Sequence, residues 1–299
     1  MIRLPKRDGG IRKALKKPPR YALLGLPGPL NGVLNAVLSA GKPPSLVIFA
    51  RDADRFSVPC PSIVVGEAKE KEDVVRRRLI QERIETFFVA GWEWKIPESW
   101  YSVPLLGGWN VHPSLLPRYR GHNPYFWVLA RGEQETGVTI HHLTEEFDAG
   151  PILLRKRIPI EKEETIGRLW NRLALLGGEA VLEALEKIAC GKIEETPQER
   201  GDFPRAPRVG IEETKFSKRW TREETKNRVR AGNPFYGMLA RLGGLRMKIF
   251  GVKEGGEGPE VPCRDGKLVV ELAELEGWGF LSGARLRDAA DSGVVSEID

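Results

Sequence analysis

The chain has 299 residues, with 47 Lys+Arg against 41 Asp+Glu, 41% apolar residues and 29% charged ones. That length allows one large or two ordinary domains with a sizeable core, and eight Trp with eleven Phe exclude wholesale disorder. No run of about 18 apolar residues occurs, so no membrane span is expected; the three scattered cysteines Cys60, Cys190 and Cys263 speak against a disulfide framework or a cysteine zinc site and for a reducing cytoplasm.

The net charge of +6 is unevenly spread. Residues 1–20 hold eight Lys/Arg and one Asp without periodicity, and read as a basic flexible arm. Residues 205–254 are also basic, with thirteen Lys/Arg against five Glu, so the rest of the chain is acidic. Basic stretches of this kind draw polyanions, although a solvated tail and a charged helix face give the same composition.

After the arm, residues 21–26 read as a buried strand. Leu30, Val33, Leu34, Val37 and Leu38 then follow helical spacing, and Gly41 stops the helix. Residues 45–50 form a second apolar strand. A strand, helix and strand of these lengths make a βαβ unit, hence a parallel sheet and an α/β class. Further strands are expected over 62–65, 86–90 and 109–112. A charged helix is expected over 70–83, with Val74, Val75, Leu79 and Ile80 turned inward. Residues 123–130 read as an aromatic helix, 138–143 and 152–158 as an edge pair of strands. Residues 165–190 form a long helix with a soft point at Gly177-Gly178. The polar, Pro-rich stretch 193–210 reads as a linker. Beyond it come a polar helix over 221–231 and strands over 247–252 and 267–272, which together suggest a small β-barrel or sheet domain.

Chemistry is densest over 107–121. Asn110 and His112 lie two apart on one strand, so their side chains share a face at its carboxyl end, where open α/β sheets bind ligands. An amide can donate to a developing oxyanion, and an imidazole can move a proton near neutral pH. The adjacent His141 and His142 alternate to opposite faces, which disfavours a shared metal, and no metal site is expected. Gly25-Leu-Pro-Gly28 lacks the spacing of a nucleotide-binding loop.

The run Ser114-Leu-Leu-Pro-Arg-Tyr-Arg-Gly121 resembles the SLLPxxRG signature of the folate-dependent formyltransferases. Residues 136–151 are similar to that family's second block, with Asp148 in the place of its Asp-x-Gly turn. Residues 84–91 with Ile96-Pro97 resemble the strand and loop beside the family's folate site. Residues 214–250, including Trp220 and Arg230-Ala-Gly-Asn-Pro-Phe-Tyr-Gly237, resemble the start of the C-terminal domain of the methionyl-tRNA formyltransferase branch.

The resemblance implies an α/β, Rossmann-like formyltransferase domain over 21–200 and a smaller OB-like β domain over 210–299. It implies 10-formyltetrahydrofolate as formyl donor and a catalytic trio of Asn110, His112 and Asp148. It also implies folate contacts from Val89, Gly91 and Trp92 and from Ser114, Leu115, Leu116 and Pro117. Two acceptors stay open. The C-terminal domain and basic flanks favour methionyl-tRNA, which ranks ahead. The short segment 52–61, lacking the long basic loop of the tRNA enzymes, and the Arg120–Gly137 region favour a nucleotide-linked amino sugar. A folate-binding protein without turnover ranks below both, and a formyl-folate hydrolase is a minor option.

Overall fold

The computed structural model describes residues 17–52, 55–65, 72–242 and 244–289. The expected basic arm, except for residues 17–20, lies outside them. The chain divides into two compact units. One holds the described residues up to His112 together with 138–156 and 174–201. The other holds 113–137, 157–173 and the described residues from 202 onward.

Strand β1 (Tyr21–Gly25) is buried along its whole length. Helix α1 (Pro27–Ser39) follows at once, with proline at its start presetting the backbone. It ends where Gly41 takes φ +65° and donates to Leu38 O at 3.0 Å. Strands β2 (Leu46–Phe49) and β3 (Ser62–Val64) come next, then α2 (Glu72–Gln81). No α-helix is found among the described residues between β2 and β3. In α2 only Val75 and Leu79 are buried; Val74 and Ile80, expected inside, are 42% and 51% exposed. The apolar stripe of this short helix is narrower than four residues: Val75 and Leu79 join the core cluster with Ala22, Leu24, Leu46 and Ile48, and Val74 and Ile80 lie outside it.

Strand β4 (Thr86–Ala90), helix α3 (Glu98–Tyr101) and strand β5 (Gly108–His112) complete the parallel part of the sheet. The short β6 (Arg120–Gly121) and α4 (Pro124–Ala130) precede β7 (Glu135–His142), β8 (Ile152–Pro159) and α5 (Ile166–Ala189). The seven-stranded sheet runs β3-β2-β1-β4-β5-β7-β8, parallel through β5, with β7 antiparallel to β5. This is the mixed α/β, Rossmann-like architecture.

Gly177 and Gly178 do not soften α5, which is continuous through them. A Cβ on Gly178 would sit 2.5 Å from Ala36 Cβ and 2.8 Å from Gly32 O. Gly178 lets α5 meet the backbone of α1 at this point.

The remaining chain forms β9 (Arg205–Ala206), α6 (Ile211–Thr214) and α7 (Arg222–Gly232). Thr221 and Glu224 close a capping box on α7, each accepting from the other's backbone N–H, at 3.1 and 2.7 Å. Strands β10 (Met238–Leu242), β11 (Leu245–Lys253), β12 (Glu260–Cys263), β13 (Gly266–Leu275) and β14 (Gly279–Ser282) then precede α8 (Gly283–Ala289). These strands make a separate five-stranded antiparallel sheet, ordered β10-β11-β13-β12 with β14 on β13. Its own core includes Val229, Met238, Ile249, Val261, Val270 and Leu286. The stretch 193–210 is also more than a linker. Thr196 bridges Ile152, and β9 pairs with β6.

No helix among the described residues is long and apolar enough to cross a membrane.

Candidate active site

Strand β5 alternates Trp109 and Val111 with Asn110 and His112. Trp109 is fully buried, and its Nε1 donates to Thr86 Oγ1 at 3.1 Å, which in turn donates to Gly107 O at 3.0 Å. That anchor turns Asn110 and His112 to the other face. The antiparallel neighbour β7 sets Asn110 opposite His141, and His112 opposite Thr139. Directly opposed residues share a face, so His141 joins the expected residues. His142, opposite Trp109, goes to the other side, where the two rings lie 4.7 Å apart.

Asn110, His112, Asp148 and His141 therefore form one cluster. Asn110 Nδ2 donates to Asp148 Oδ1 at 3.1 Å and lies 3.1 Å from His141 Nε2. The other nitrogen of His141, Nδ1, is 3.0 Å from the His142 carbonyl oxygen, which only accepts. With its proton on Nδ1, His141 presents a bare Nε2 that accepts the second amide hydrogen of Asn110. His112 Nδ1 is 3.5 Å and His141 Nε2 3.6 Å from the same Asp148 oxygen. His112 and His141 are 3% and 1% exposed, so these groups act on one another with little screening by water.

Asp148 reaches the cluster from the β7–β8 turn with φ +54°, a left-handed conformation that costs a non-glycine residue about 1–2 kcal/mol. Gly150 lets that turn close, since a Cβ there would lie 1.9 Å from His142 O. The Gln198 side chain spans the turn, with Nε2 donating to Asp148 O and to Gly150 O, both at 2.8 Å.

Of the expected folate contacts, Val89 is buried on β4 beside Asn110 in the parallel register. Gly91 follows the strand with φ +73°, and its carbonyl accepts from Leu26 N at 3.0 Å. Trp92 meets Trp94 and Trp100 edge to face, both at 5.9 Å, giving an aromatic surface at the carboxyl end of β4. In the second unit Ser114 is fully buried and its hydroxyl closes its own turn on Arg118 O at 2.8 Å. Leu115 is half-buried, Leu116 is buried, and the Leu116–Pro117 bond is cis. Nearby, Tyr119 donates to Glu133 Oε1 at 2.5 Å, and burial together with that carboxylate pushes its phenol up to about 12. No group of three or more His, Cys, Asp or Glu suited to a metal occurs among the described residues.

His141 was missed by reading the sequence. Its alternation with His142 was legible, but which of the two meets Asn110 depends on the register between β5 and β7.

Comparison with known proteins gives concordant matches. A family model described as formyl transferase matches residues 37–185. The chain is 38% identical over 252 residues to the methionyl-tRNA formyltransferase of Thermotoga maritima, covering 76% of this chain and 80% of that one. It is 42% identical over 151 residues to the methionyl-tRNA formyltransferase of Kosmotoga olearia, covering 50% of this chain and 49% of that one. Among solved structures, HypX from Aquifex aeolicus in complex with tetrahydrofolic acid superposes with a TM-score of 0.67 over 94% of this chain and 49% of that one. At 19% identity this likeness is one of fold.

Proposed function

The chain belongs to the formyl transferase family, and from that premise we propose that it moves the formyl group of 10-formyltetrahydrofolate to the amine of methionyl-tRNA. The observation that carries the acceptor is the length of the match to the Thermotoga maritima enzyme, which spans four fifths of that relative. The antiparallel sheet from β10 to β14 and the basic residues of 205–254 are in keeping with an acceptor that is a polyanion.

When bound, the folate supplies an activated formyl amide. The residues present suit that group: proton-handling imidazoles and a carboxylate lie at the carboxyl ends of β5 and β7, with the Trp92 surface at the end of β4. Val89, Gly91 and Trp92 are proposed to hold the folate, and Ser114, Leu115, Leu116 and Pro117 keep the same proposed role from the resemblance. His112 takes the proton that the attacking amine must lose and gives it to the folate nitrogen as that nitrogen's bond to the formyl carbon breaks, and Asp148 stabilises the imidazolium in between. Asn110 donates to the formyl oxygen. Both of its amide hydrogens are already engaged, so it must exchange one. The bond to neutral His141 is the easier to give up, because the bond to the Asp148 carboxylate is charge-assisted.

A second reading, a nucleotide-linked amino sugar as acceptor, is favoured by one observation. The crossover from β2 to β3 is short and carries no α-helix among its described residues, so the basic loop expected of a tRNA enzyme is missing there.

The test is formyl transfer from 10-formyltetrahydrofolate to methionyl-tRNA and to a panel of nucleotide-linked amino sugars, each at about 50 and about 200 mM salt. Efficient turnover of methionyl-tRNA that falls steeply with salt supports the first reading. Turnover on an amino sugar alone, with a shallow salt response, replaces it with the second. Folate binding without transfer to either leaves a binding protein.

A further inference from the structure

The segment after α5 bears directly on the proposed site. Thr196 and Ile152 exchange both backbone hydrogen bonds, each at 2.8 Å. Glu195 Oε1 lies 3.8 Å from His142 Nδ1. Two residues on from Thr196, the amide nitrogen of Gln198 gives both its hydrogens to the turn carrying Asp148, one to the carbonyl of Asp148 and one to that of Gly150. The segment therefore grips the β7–β8 turn at its base and its crest.

We propose that Gln198 is a positioning residue, which holds the left-handed Asp148 turn so that the carboxylate meets Asn110 and His112. This rests on the reading of Asp148 as a catalytic residue. The carbonyl carbon of Asp148 and its Cβ are bonded to the same Cα. Fixing the carbonyl holds the backbone of the turn, and with it the point from which the side chain reaches Asn110 Nδ2 and His112 Nδ1. Of the two replacements that keep its size, glutamate offers those carbonyl oxygens no hydrogen when ionised, and leucine none at all. Gln198 touches neither of the reacting partners in this scheme; it acts through Asp148.

The test compares Gln198→Leu and Gln198→Glu in the full-length protein, alone and with Asp148→Ala, in formyl transfer from 10-formyltetrahydrofolate to methionyl-tRNA. Each single Gln198 variant is expected to lower kcat about tenfold, as for a misplaced catalytic group, with the KM of donor and acceptor changed less than about twofold. In the Asp148→Ala background, the same substitutions should change the single-turnover rate by less than about twofold, since the group they position is gone. Glutamate keeps the length and shape of glutamine without its two hydrogens, and a strap collapsed in either variant would still lower the rate in the Asp148→Ala background. Parental kcat in Gln198→Leu would overturn the proposal, as would a tenfold loss repeated in the Asp148→Ala background. Parental kcat in Asp148→Ala alone is the separate result that removes the catalytic reading of Asp148 and the proposal with it.

Discussion

Asn110 commits both hydrogens of its side-chain amide to two residues of the neighbouring strand and its turn, His141 and Asp148, each at 3.1 Å. The two bonds are unequal. One ends on a neutral imidazole and the other on a carboxylate, and net values of about 1 and about 1.5–3 kcal/mol apply to such bonds. Because the His141 bond is the one Asn110 releases to reach the formyl oxygen, His141→Leu is expected to leave kcat within about twofold, and Asp148→Ala to lower it tenfold or more. Steady-state rates of the two variants check the ranking. A larger loss in His141→Leu would move the anchor of the amide to the imidazole.

Loss of the amide itself should cost more. Asn110→Ala is expected to reduce kcat by about 10²–10³, as for removal of one oxyanion donor, with KM for both substrates little changed. A KM effect without a kcat effect would make Asn110 a ground-state binding residue.

Reading β4 and β5 from the sequence came within a residue of their bounds, because both are continuous or alternating apolar runs between turn residues. The pairing of Asn110 with His112 on one face followed from strand periodicity alone. His141 did not follow, since a cross-strand register is a long-range property. Val74 and Ile80 were misplaced because hydrophobicity shows that a residue can be buried, not that a neighbour is present to bury it. Strands β10, β12 and β14 are short, polar or glycine-flanked, and their burial comes from their partners in the sheet.

The two glycines in α5 offer a contrast within one helix. Gly178→Val would drive side-chain atoms into Ala36 and the Gly32 carbonyl, and an overpacking penalty of about 1–3 kcal/mol is expected. Gly177 faces a side chain instead: an alanine methyl there would lie 3.2 Å from Val111 Cγ1, which must give by a few tenths of an ångström to admit it. Alanine also gains about 1 kcal/mol of helix propensity over glycine, so Gly177→Ala should be near neutral. Thermal melts of the two variants separate these outcomes; equal shifts would mean that α1 and α5 do not meet at this point.

Alkaline pH should find a weak point at Tyr119. Its folded-state pKa, about 12, lies above that of a free phenol. The stability it contributes is complete below about pH 10, where the phenol is neutral in both states, and is lost as pH rises toward its folded value. Tyr21, Tyr125 and Tyr236 are shifted in the same direction by burial and add to the decline. Urea titrations between about pH 9 and 11.5 should show falling stability, less steeply in Tyr119→Phe. A slope unchanged by that substitution would place the Tyr119 phenol in water.

The crossover from β2 to β3 also has a polymer-physical consequence. Its ends are fixed by the parallel pairing of Val47 with Ser62 and Phe49 with Val64, and inside it Phe56 meets Phe49 edge to face at 5.0 Å. Doubling the length of such a segment adds only about 0.6 kcal/mol of closure entropy. The sheet can thus host a much longer excursion at this point for less than the worth of one buried methylene, about 0.8 kcal/mol. An inserted basic loop between Phe56 and Pro61 would alter the protein's grip on a polyanion while leaving the strand register, and the Asn110 cluster two strands beyond β1, where they are.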